Sequence, residues 1–239
     1  MMHIPKLIHI SWKNKNIFEN KSELVKNGLH NLVQMNPEWQ YQLNTDNDVD
    51  DYLKNNLEKK DYAIIQNSNI IAKLDIWRLL KIYNEGGLYI DLDRLYNIPL
   101  DNIINDNIKC VLPTNMDHDF SNDFILSAPQ NPIYLEAIQL NFQRRWQGIT
   151  NIYFLGAQTY MHAVTKVLVG ERIDTAPGAG IFKEIRSVLS NIPFIKTYRE
   201  TPPYDTIVFK KDKYFEMDHE KEKRTLYADF GMKHWTTEW

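Results

Sequence analysis

The chain has 239 residues, of which 43% are hydrophobic and 25% charged, and its formal net charge at pH 7 is −3. This balance provides no basic surface of the kind that binds nucleic acid or an anionic membrane. The single cysteine excludes an internal disulfide framework and a zinc site with several cysteine ligands. Length and composition predict an ordinary globular protein with one domain spanning residues 1–239.

The first part of the chain alternates strand patterns with helix patterns. Short apolar or alternating runs predict strands at residues 6–12, 39–43 and 88–92. Apolar residues at helical spacing predict helices at 19–35, 48–57 and 69–84. The third helix should end at Asn84-Glu85-Gly86-Gly87, because glycine commonly terminates helices.

The same alternation continues further along the chain. Short apolar runs predict strands at 111–113 and 124–127, and helical spacing predicts helices at 131–146, 156–169 and 181–190. Residues 210–223 mix charges of both signs, which favours a solvated loop or hairpin. Strands that alternate with helices predict an α/β fold with an open, mostly parallel sheet flanked by helices.

Two sequence features bear on membrane association. No window contains the roughly 18 consecutive apolar residues of a transmembrane helix. The start, MMHIPKLIHISW, has only a short apolar run and is unlike a signal peptide. We therefore expect a cytoplasmic protein without a transmembrane segment, which would approach any membrane peripherally, from the aqueous side.

Two carboxylates, Asp91 and Asp93, stand at the end of the apolar strand predicted at 88–92. An unpaired carboxylate that loses its water costs several kcal/mol, so a cation is expected nearby. On an extended chain, side chains two residues apart point to the same face. The two carboxylates can therefore converge on one ligand.

Three interpretations of this Asp-Leu-Asp sequence remain open from its residues alone. It can be a turn in which Asp93 pairs with Arg94 or Lys81. It can belong to a phosphohydrolase of the haloacid dehalogenase type, although Leu95 stands where that family has threonine or valine. It can also hold Mg²⁺ or Mn²⁺ against a diphosphate, since both ions prefer oxygen ligands and substrate phosphates.

The helix predicted at 69–84 carries a further pair of opposite charges, Asp75 and Arg78. Three residues apart, they share one face of a helix that is otherwise apolar. Charges in such surroundings should be paired with each other or engaged with a ligand. Both explanations are compatible with the helix considered alone.

The block AKLDIWRLLKIYNEGGLYIDLD, residues 72–93, resembles the sugar-nucleotide signature of DXD-containing glycosyltransferases of family 32. Their pattern is roughly A-x-[SL]-D-x-x-R-x-x-x-L-Y-x-x-G-G-x-Y-x-D-x-D. Four further segments are similar to the family: IPKLIHISW (4–12), NPEWQYQLNTD (36–46), SNDFILSAPQNP (121–132) and HWTTEW (234–239). The segment GAQTYM (156–161) departs from the Gly-Pro that many relatives have.

This resemblance implies a GT-A fold and a retaining glycosyltransferase activity that depends on Mn²⁺ or Mg²⁺. The donor would be a UDP- or GDP-hexose, and the acceptor a hydroxyl of a glycan or glycoconjugate. Front-side attack and double displacement through a covalent sugar adduct both remain open. A different class of function also remains: a catalytically inactive GT-A domain that binds sugar nucleotides or glycans.

The resemblance also implies roles for individual side chains. The catalytic residues would be Asp75, Arg78 and Asp91. Trp12 would stack on the nucleobase of the donor. The other residues that bind the donor would be Tyr89, Asn122 and Trp239. The metal ligands would be Asp93 foremost, with Asp91, His234 and Thr237.

Overall fold

The structure is a computed structural model, and it describes part of the chain. The described residues are 3–17, 23–92, 95–96, 99–106, 108–114, 120–169, 196–198, 206–210 and 215–216. The helix expected at 181–190 and most of the loop expected at 210–223 lie outside them.

Helices and strands alternate along most of the described chain, as predicted. The helices are α1 (Glu23–Met35), α2 (Asp46–Asn56), α3 (Lys59–Ile65), α4 (Ile70–Glu85), α5 (Pro132–Trp146), α6 (Ile152–Leu155) and α7 (Ala157–Val169). The strands are β1 (Leu7–Ser11), β2 (Gln40–Asn44), β3 (Gly87–Ile90), β4 (Leu95–Tyr96), β5 (Cys110–Thr114), β6 (Phe124–Ser127), β7 (Lys196–Tyr198), β8 (Thr206–Lys210) and β9 (Phe215–Glu216). The predictions missed the short elements α3, α6, β4, β7 and β9, and also β8.

The main sheet has seven described strands in the order β2-β1-β3-β6-β5-β8-β7, and β4 pairs with β9 separately. The predicted α/β fold with an open sheet flanked by helices is confirmed. Its pairing is mixed where we expected it to be mostly parallel. Among the described strands, β1 is parallel to β2 and β3, and β5 is parallel to β8, whereas β6 and β7 run antiparallel to their neighbours.

Strand β3 is buried on both faces. Tyr89 packs into a core with α2, α4, α5 and α7, and Leu88 and Ile90 pack into a second core that includes α1. An apolar run shows that helices cover both faces of a strand, but it does not show the direction of the neighbouring strands. This is why the sequence did not reveal that β6 is antiparallel to β3.

Two glycines connect α4 to β3 in a tight turn. Gly86 and Gly87 have φ angles of 71° and 91°, which side-chain-bearing residues rarely adopt. A Cβ on Gly87 would also collide with the backbone carbonyl of Leu7 on β1. The pair therefore ends α4, as predicted, and brings β3 directly alongside β1.

The carboxyl ends of β1 and β3 lie at the same edge of the sheet, because the two strands are parallel. Strand β6 is antiparallel to β3, so its amino end reaches this edge too, with Ile90 opposite Phe124. Just beyond, the backbone N–H of Asp91 donates to the carbonyl of Asp123 at 2.8 Å. The side chains that flank the three strands therefore lie close together at this edge.

No described helix is long and apolar enough to cross a bilayer.

Candidate active site

Helix α4 brings two charged residues into the protein interior. It begins after Asn69, whose side chain accepts a hydrogen bond from the N–H of Ala72. Asp75 and Arg78 are only 8% and 7% exposed. Their side chains form an ion pair, with 3.4 Å between Nη2 of Arg78 and Oδ1 of Asp75. The sequence predicted that these charges would be paired or engaged with a ligand, and they are paired.

The guanidinium of Arg78 joins α4 to the strand ends. Its Nη1 lies 3.3 Å from Oδ1 of Asp91 and donates to the backbone carbonyl of Asn122 at 2.8 Å. One cation therefore contacts two carboxylates and fixes the segment that precedes β6. This multiple contact favours arginine over lysine, since a guanidinium presents five N–H donors in a rigid plane.

The two oxygens of the Asp75 carboxylate have different surroundings. Oδ1 faces Arg78 and also accepts a hydrogen bond from the side-chain amide of Asn122 at 3.1 Å. Oδ2 lies against Gly156. Within the described part of the chain, no hydrogen-bond donor contacts Oδ2. The carboxylate is thus held through one oxygen, and the other can accept a hydrogen bond from a ligand.

Tyr89 supports Asp91 from inside the sheet. Its hydroxyl donates a short hydrogen bond to Oδ1 of Asp91. Its ring lies 4.5 Å from the guanidinium carbon of Arg78 and contacts Trp77 edge to face. Burial raises the pKa of Tyr89 well above its ordinary value of 10, so the hydroxyl keeps its proton.

The charges of this cluster influence one another. Burial raises the pKa of Asp75 and the charge of Asp91 raises it further, while Arg78 and Asn122 oppose this shift. Burial alone would lower the pKa of Arg78, but Tyr89, Asp91 and Asp75 together raise it. Arg78 therefore stays charged, and the protonation of Asp75 depends on it.

Trp12 lies at the same edge, directly after β1. Its backbone N–H donates to the carbonyl of Asn44 at the end of β2, at 3.0 Å. Its side chain is half-buried and packs partly against the second core. The structure thus places it beside the strand ends that carry Asp91 and Asn122. Contact with a nucleobase stays a prediction.

Residues 6–109 match the protein family described as the glycosyltransferase sugar-binding region containing DXD motif. The matched range includes Trp12, Asp75, Arg78, Tyr89 and Asp91. This match covers 104 of the 239 residues, less than half of the chain.

Curated relatives of known name come from fungi. An inositol phosphoceramide mannosyltransferase of Schizosaccharomyces pombe is 30% identical over 58% of this chain and 43% of its own length. A mannosyl phosphorylinositol ceramide synthase of Saccharomyces cerevisiae is 28% identical over 60% of this chain and 37% of its own length. The chain spans less than half the length of the curated relatives it matches.

The comparison with solved structures shows a similarity in fold. The PaToxG glycosyltransferase superposes with a TM-score of 0.55 at 18% sequence identity, covering 80% of this chain and 79% of that one. At this identity the comparison concerns architecture only, and it confirms the expected GT-A type of α/β fold.

Of the four residues predicted to bind metal, Asp91 is the one that the structure describes. The side chain of Asp91 is 33% exposed, and its Oδ1 is engaged by Arg78 and Tyr89. Asp93, His234, Thr237 and the donor-binding Trp239 lie outside the described residues. Among the residues that are described, no group of three acidic, histidine or cysteine side chains could hold a metal ion.

The partly exposed carboxylate of Asp91 fits the divalent metal ion that a DXD motif implies. Mg²⁺ usually binds one or two carboxylates together with substrate phosphates. Lys81 contacts Glu85 one turn along α4. The turn interpretation, in which Asp93 pairs with Arg94 or Lys81, stays open because Asp93 and Arg94 lie outside the described residues. The role of Asp93 stays a prediction.

Three residues near Asp75 and Arg78 were missed by the sequence analysis. Asp123 is buried, accepts a hydrogen bond from Ser121 at 2.6 Å, and contributes to raising the pKa of Arg78. Arg145 on α5 lies close enough to lower the pKa of Asp75. Gly156 touches the carboxylate itself. Asp123 had a sequence signal, because it directly precedes a predicted strand in a segment similar to the family. Gly156 begins the segment GAQTYM, which departs from the Gly-Pro of many relatives, whereas Arg145 had no signal.

A second polar network lies between α5, α6 and α7. The side chain of Arg144 donates to the carbonyl of Phe154 at 2.7 Å and to the hydroxyl of Thr159 at 2.8 Å. It also contacts Nδ1 of His162 at 2.5 Å. This network fixes the three helices around the segment that contains Gly156, and nothing in the sequence pattern singled it out.

Replacing Tyr89 with phenylalanine should lower the free energy of unfolding by about 1–1.5 kcal/mol. The change removes the hydrogen bond to Asp91 but keeps the ring between Trp77 and Arg78. Urea unfolding followed by circular dichroism measures this difference. Tyr83→Phe on α4 is the matched control, because no hydrogen bond of the Tyr83 hydroxyl occurs among the described residues. Equal stability losses in the two variants would contradict the role assigned to Tyr89.

Proposed function

We propose that the protein is a retaining, divalent-metal-dependent glycosyltransferase that transfers mannose from a nucleoside diphosphate sugar to a hydroxyl of a glycoconjugate. The similarity of residues 6–109 to the sugar-binding region of DXD glycosyltransferases supports sugar-nucleotide chemistry. The names of the fungal relatives support mannose as the sugar and an inositol phosphoceramide as the acceptor class. Since ceramides are membrane lipids, this acceptor would require a peripheral position on the aqueous side of a membrane.

The observation that carries this proposal is the cluster of the buried Asp75 and Arg78 with the partly exposed Asp91, held together with Asn122 at the carboxyl ends of β1 and β3. Ligands of open α/β sheets bind at this edge. The cluster offers two carboxylates in different states: Asp75 with an oxygen available to a ligand, and Asp91 partly exposed at the rim.

These two carboxylates suit the two ends of a sugar nucleotide. A buried carboxylate oxygen accepts hydrogen bonds from sugar hydroxyls, and burial strengthens such bonds. Arg78 keeps Asp75 oriented and compensates its charge. In the proposed complex Asp75 therefore binds the hexose, and Asp91 lies next to the ribose and diphosphate.

The resident metal ion would be held by Asp93, with Asp91, His234 and Thr237 as further ligands, and when bound it neutralises the charge that develops on the leaving diphosphate. The residues of the chain orient the donor and exclude water around its anomeric carbon. Retention is compatible with both front-side attack and double displacement. Trapping a covalent sugar adduct on a side chain, detected by mass spectrometry, would decide against front-side attack.

The test is hydrolysis and transfer across a panel of GDP- and UDP-sugars, with Mn²⁺, with Mg²⁺ and with EDTA. We expect turnover of one donor, GDP-mannose first among them, that requires the metal and falls to the EDTA level in Asp93→Asn. Asp106→Asn is the control, because Asp106 is exposed and is not one of the predicted ligands.

Other results of this panel would contradict the proposal. Metal-independent binding of a sugar nucleotide without turnover would favour a binding module. No interaction with any sugar nucleotide would leave Asp91-Leu92-Asp93 as a structural turn.

A further inference from the structure

The segment between α6 and α7 is fixed against the active site by hydrogen bonds. The carbonyl of Leu155 accepts a hydrogen bond from the side chain of Asn141 on α5 at 2.7 Å. The N–H of Gly156 donates to the carbonyl of Ile152 at 2.7 Å, and its carbonyl accepts from Tyr160 at 3.1 Å. The backbone around Gly156 therefore has little freedom to move.

Gly156 leaves no room for a side chain. A Cβ at this position would lie 2.9 Å from the carboxylate carbon of Asp75, closer still to its Oδ2, and 3.2 Å from the carbonyl of Ile152. Its φ angle of −88° is negative, so glycine is not required here by a left-handed backbone. The closest contacts that a side chain at position 156 would make are with Asp75.

Asp75 cannot withdraw from this contact without losing its own partners. Its side chain is only 11% exposed, and its Oδ1 is held by Asn122 at 3.1 Å and by Arg78 at 3.4 Å. A methyl group at position 156 would rotate the carboxylate away from these two residues. It would also displace Oδ2, the oxygen that has no partner among the described residues.

We infer that Gly156 is a positioning residue for sugar recognition. Because glycine has no side chain, the Asp75 carboxylate can stay in contact with Arg78 and Asn122, and its Oδ2 stays available to a hydroxyl of the hexose. This inference rests on the proposed function and deepens it. Gly156 acts on the sugar half of the donor, because the side-chain atoms nearest to a Cβ at position 156 belong to Asp75, the residue proposed to bind the hexose.

Replacing Gly156 with alanine should therefore weaken binding of the sugar nucleotide and leave binding of the nucleoside diphosphate unchanged. The loss should be about tenfold or more, the equivalent of one hydrogen bond to a charged group. Titration calorimetry with GDP-mannose and with GDP measures both affinities. If the wild-type protein turns over another donor, that donor and its diphosphate replace them.

The chain offers a matched control glycine on the segment after α5. Gly148 has a φ angle of 82°, and a Cβ there would meet no atom within 4 Å. Gly148→Ala therefore adds the same methyl group, with backbone strain but without a collision. It should lower the melting temperature and leave the ratio of the two affinities as in the wild type.

A double variant tests whether position 156 acts through Asp75. Serine at position 75 is shorter than aspartate and lacks the carboxylate that the methyl group would strike. In the Asp75→Ser background, Gly156→Ala should cause no further loss of GDP-mannose affinity. If Gly156→Ala alone does not fold, recovery of folding in the double variant supports the contact, and failure to recover overturns it.

The outcomes separate this inference from the proposed function. A wild-type protein that turns over no sugar nucleotide contradicts the proposed function itself. With an active wild type, a selective loss of sugar-nucleotide affinity in Gly156→Ala supports the inference. It is overturned by affinities within twofold of the wild type, or by equal losses for GDP-mannose and GDP.

Discussion

Replacing Arg78 with methionine should lower the free energy of unfolding by about 3–5 kcal/mol and abolish donor turnover. Arg78 is the cation that faces both Asp75 and Asp91, and it is 7% exposed. Methionine keeps most of the aliphatic volume, so the cost comes from leaving a buried carboxylate without its counter-charge. Urea unfolding measures the stability, and the donor panel measures the turnover.

Two further variants isolate the electrostatic part of this effect. Lys81→Met removes another buried cation from α4, but its partner Glu85 is 31% exposed and can be solvated. It should cost less stability and leave turnover intact. Asp75→Asn combined with Arg78→Met removes the buried carboxylate together with its cation, so it should recover part of the stability but none of the turnover.

The stability of these variants distinguishes a buried ion pair from simple packing. If Arg78→Met and Lys81→Met lose the same stability, the contacts of Arg78 with the two carboxylates contribute little. If the double variant is less stable than Arg78→Met alone, the charge of Asp75 is not what destabilises the single variant. Either result would contradict the role of Arg78 as the counter-charge of the buried Asp75 carboxylate.

The part of the site that lies in residues 72–93 was predictable because its residues are close in sequence and regularly spaced. Helical spacing placed Asp75 and Arg78 on one face, and the glycine pair marked the turn that returns the chain to the sheet. The charges then had to be paired or bound, since isolated charges are costly in such apolar surroundings. The family resemblance added Asn122, which is 47 residues from Asp75 and contacts it.

Contacts between residues distant in sequence were not predictable in this way. Gly156 is far from Asp75 along the chain, and a glycine between two apolar segments has many explanations. Arg144 and His162 lie within helices whose pattern predicts only a helix. The direction of β6 was also hidden, because helices cover both faces of the sheet whichever way a central strand runs.

Lowering the pH from 7 to 4.5 should destabilise the wild-type protein by about 2–2.5 kcal/mol more than a His162→Asn variant. Burial, together with the charge of Arg144, lowers the pKa of His162 from 6.5 to about 4. Nδ1 of His162 accepts a hydrogen bond from the Arg144 guanidinium, so a proton on Nδ1 would break that bond and face a positive charge. Asparagine at this position keeps an acceptor oxygen near Nδ1 and does not titrate.

The direction of this effect follows from proton binding. Between pH 4 and 6.5 the unfolded chain carries a proton on His162 that the folded protein does not. The stability contributed by the neutral imidazole is therefore complete above pH 6.5 and is lost as the pH falls towards 4. His9 is also buried with a lowered pKa, so it contributes in the same direction and the variant keeps part of the dependence.

Urea unfolding of both proteins at half-unit steps between pH 7 and pH 4.5 measures the difference. His30→Gln, an exposed position on α1, is the matched control and should follow the wild-type curve. Parallel curves for the wild type and His162→Asn would show that His162 is protonated in the folded protein as readily as in the unfolded chain. This result would contradict the contact between His162 and Arg144 in solution. The position of α7 beside the active site would then have to depend on other contacts.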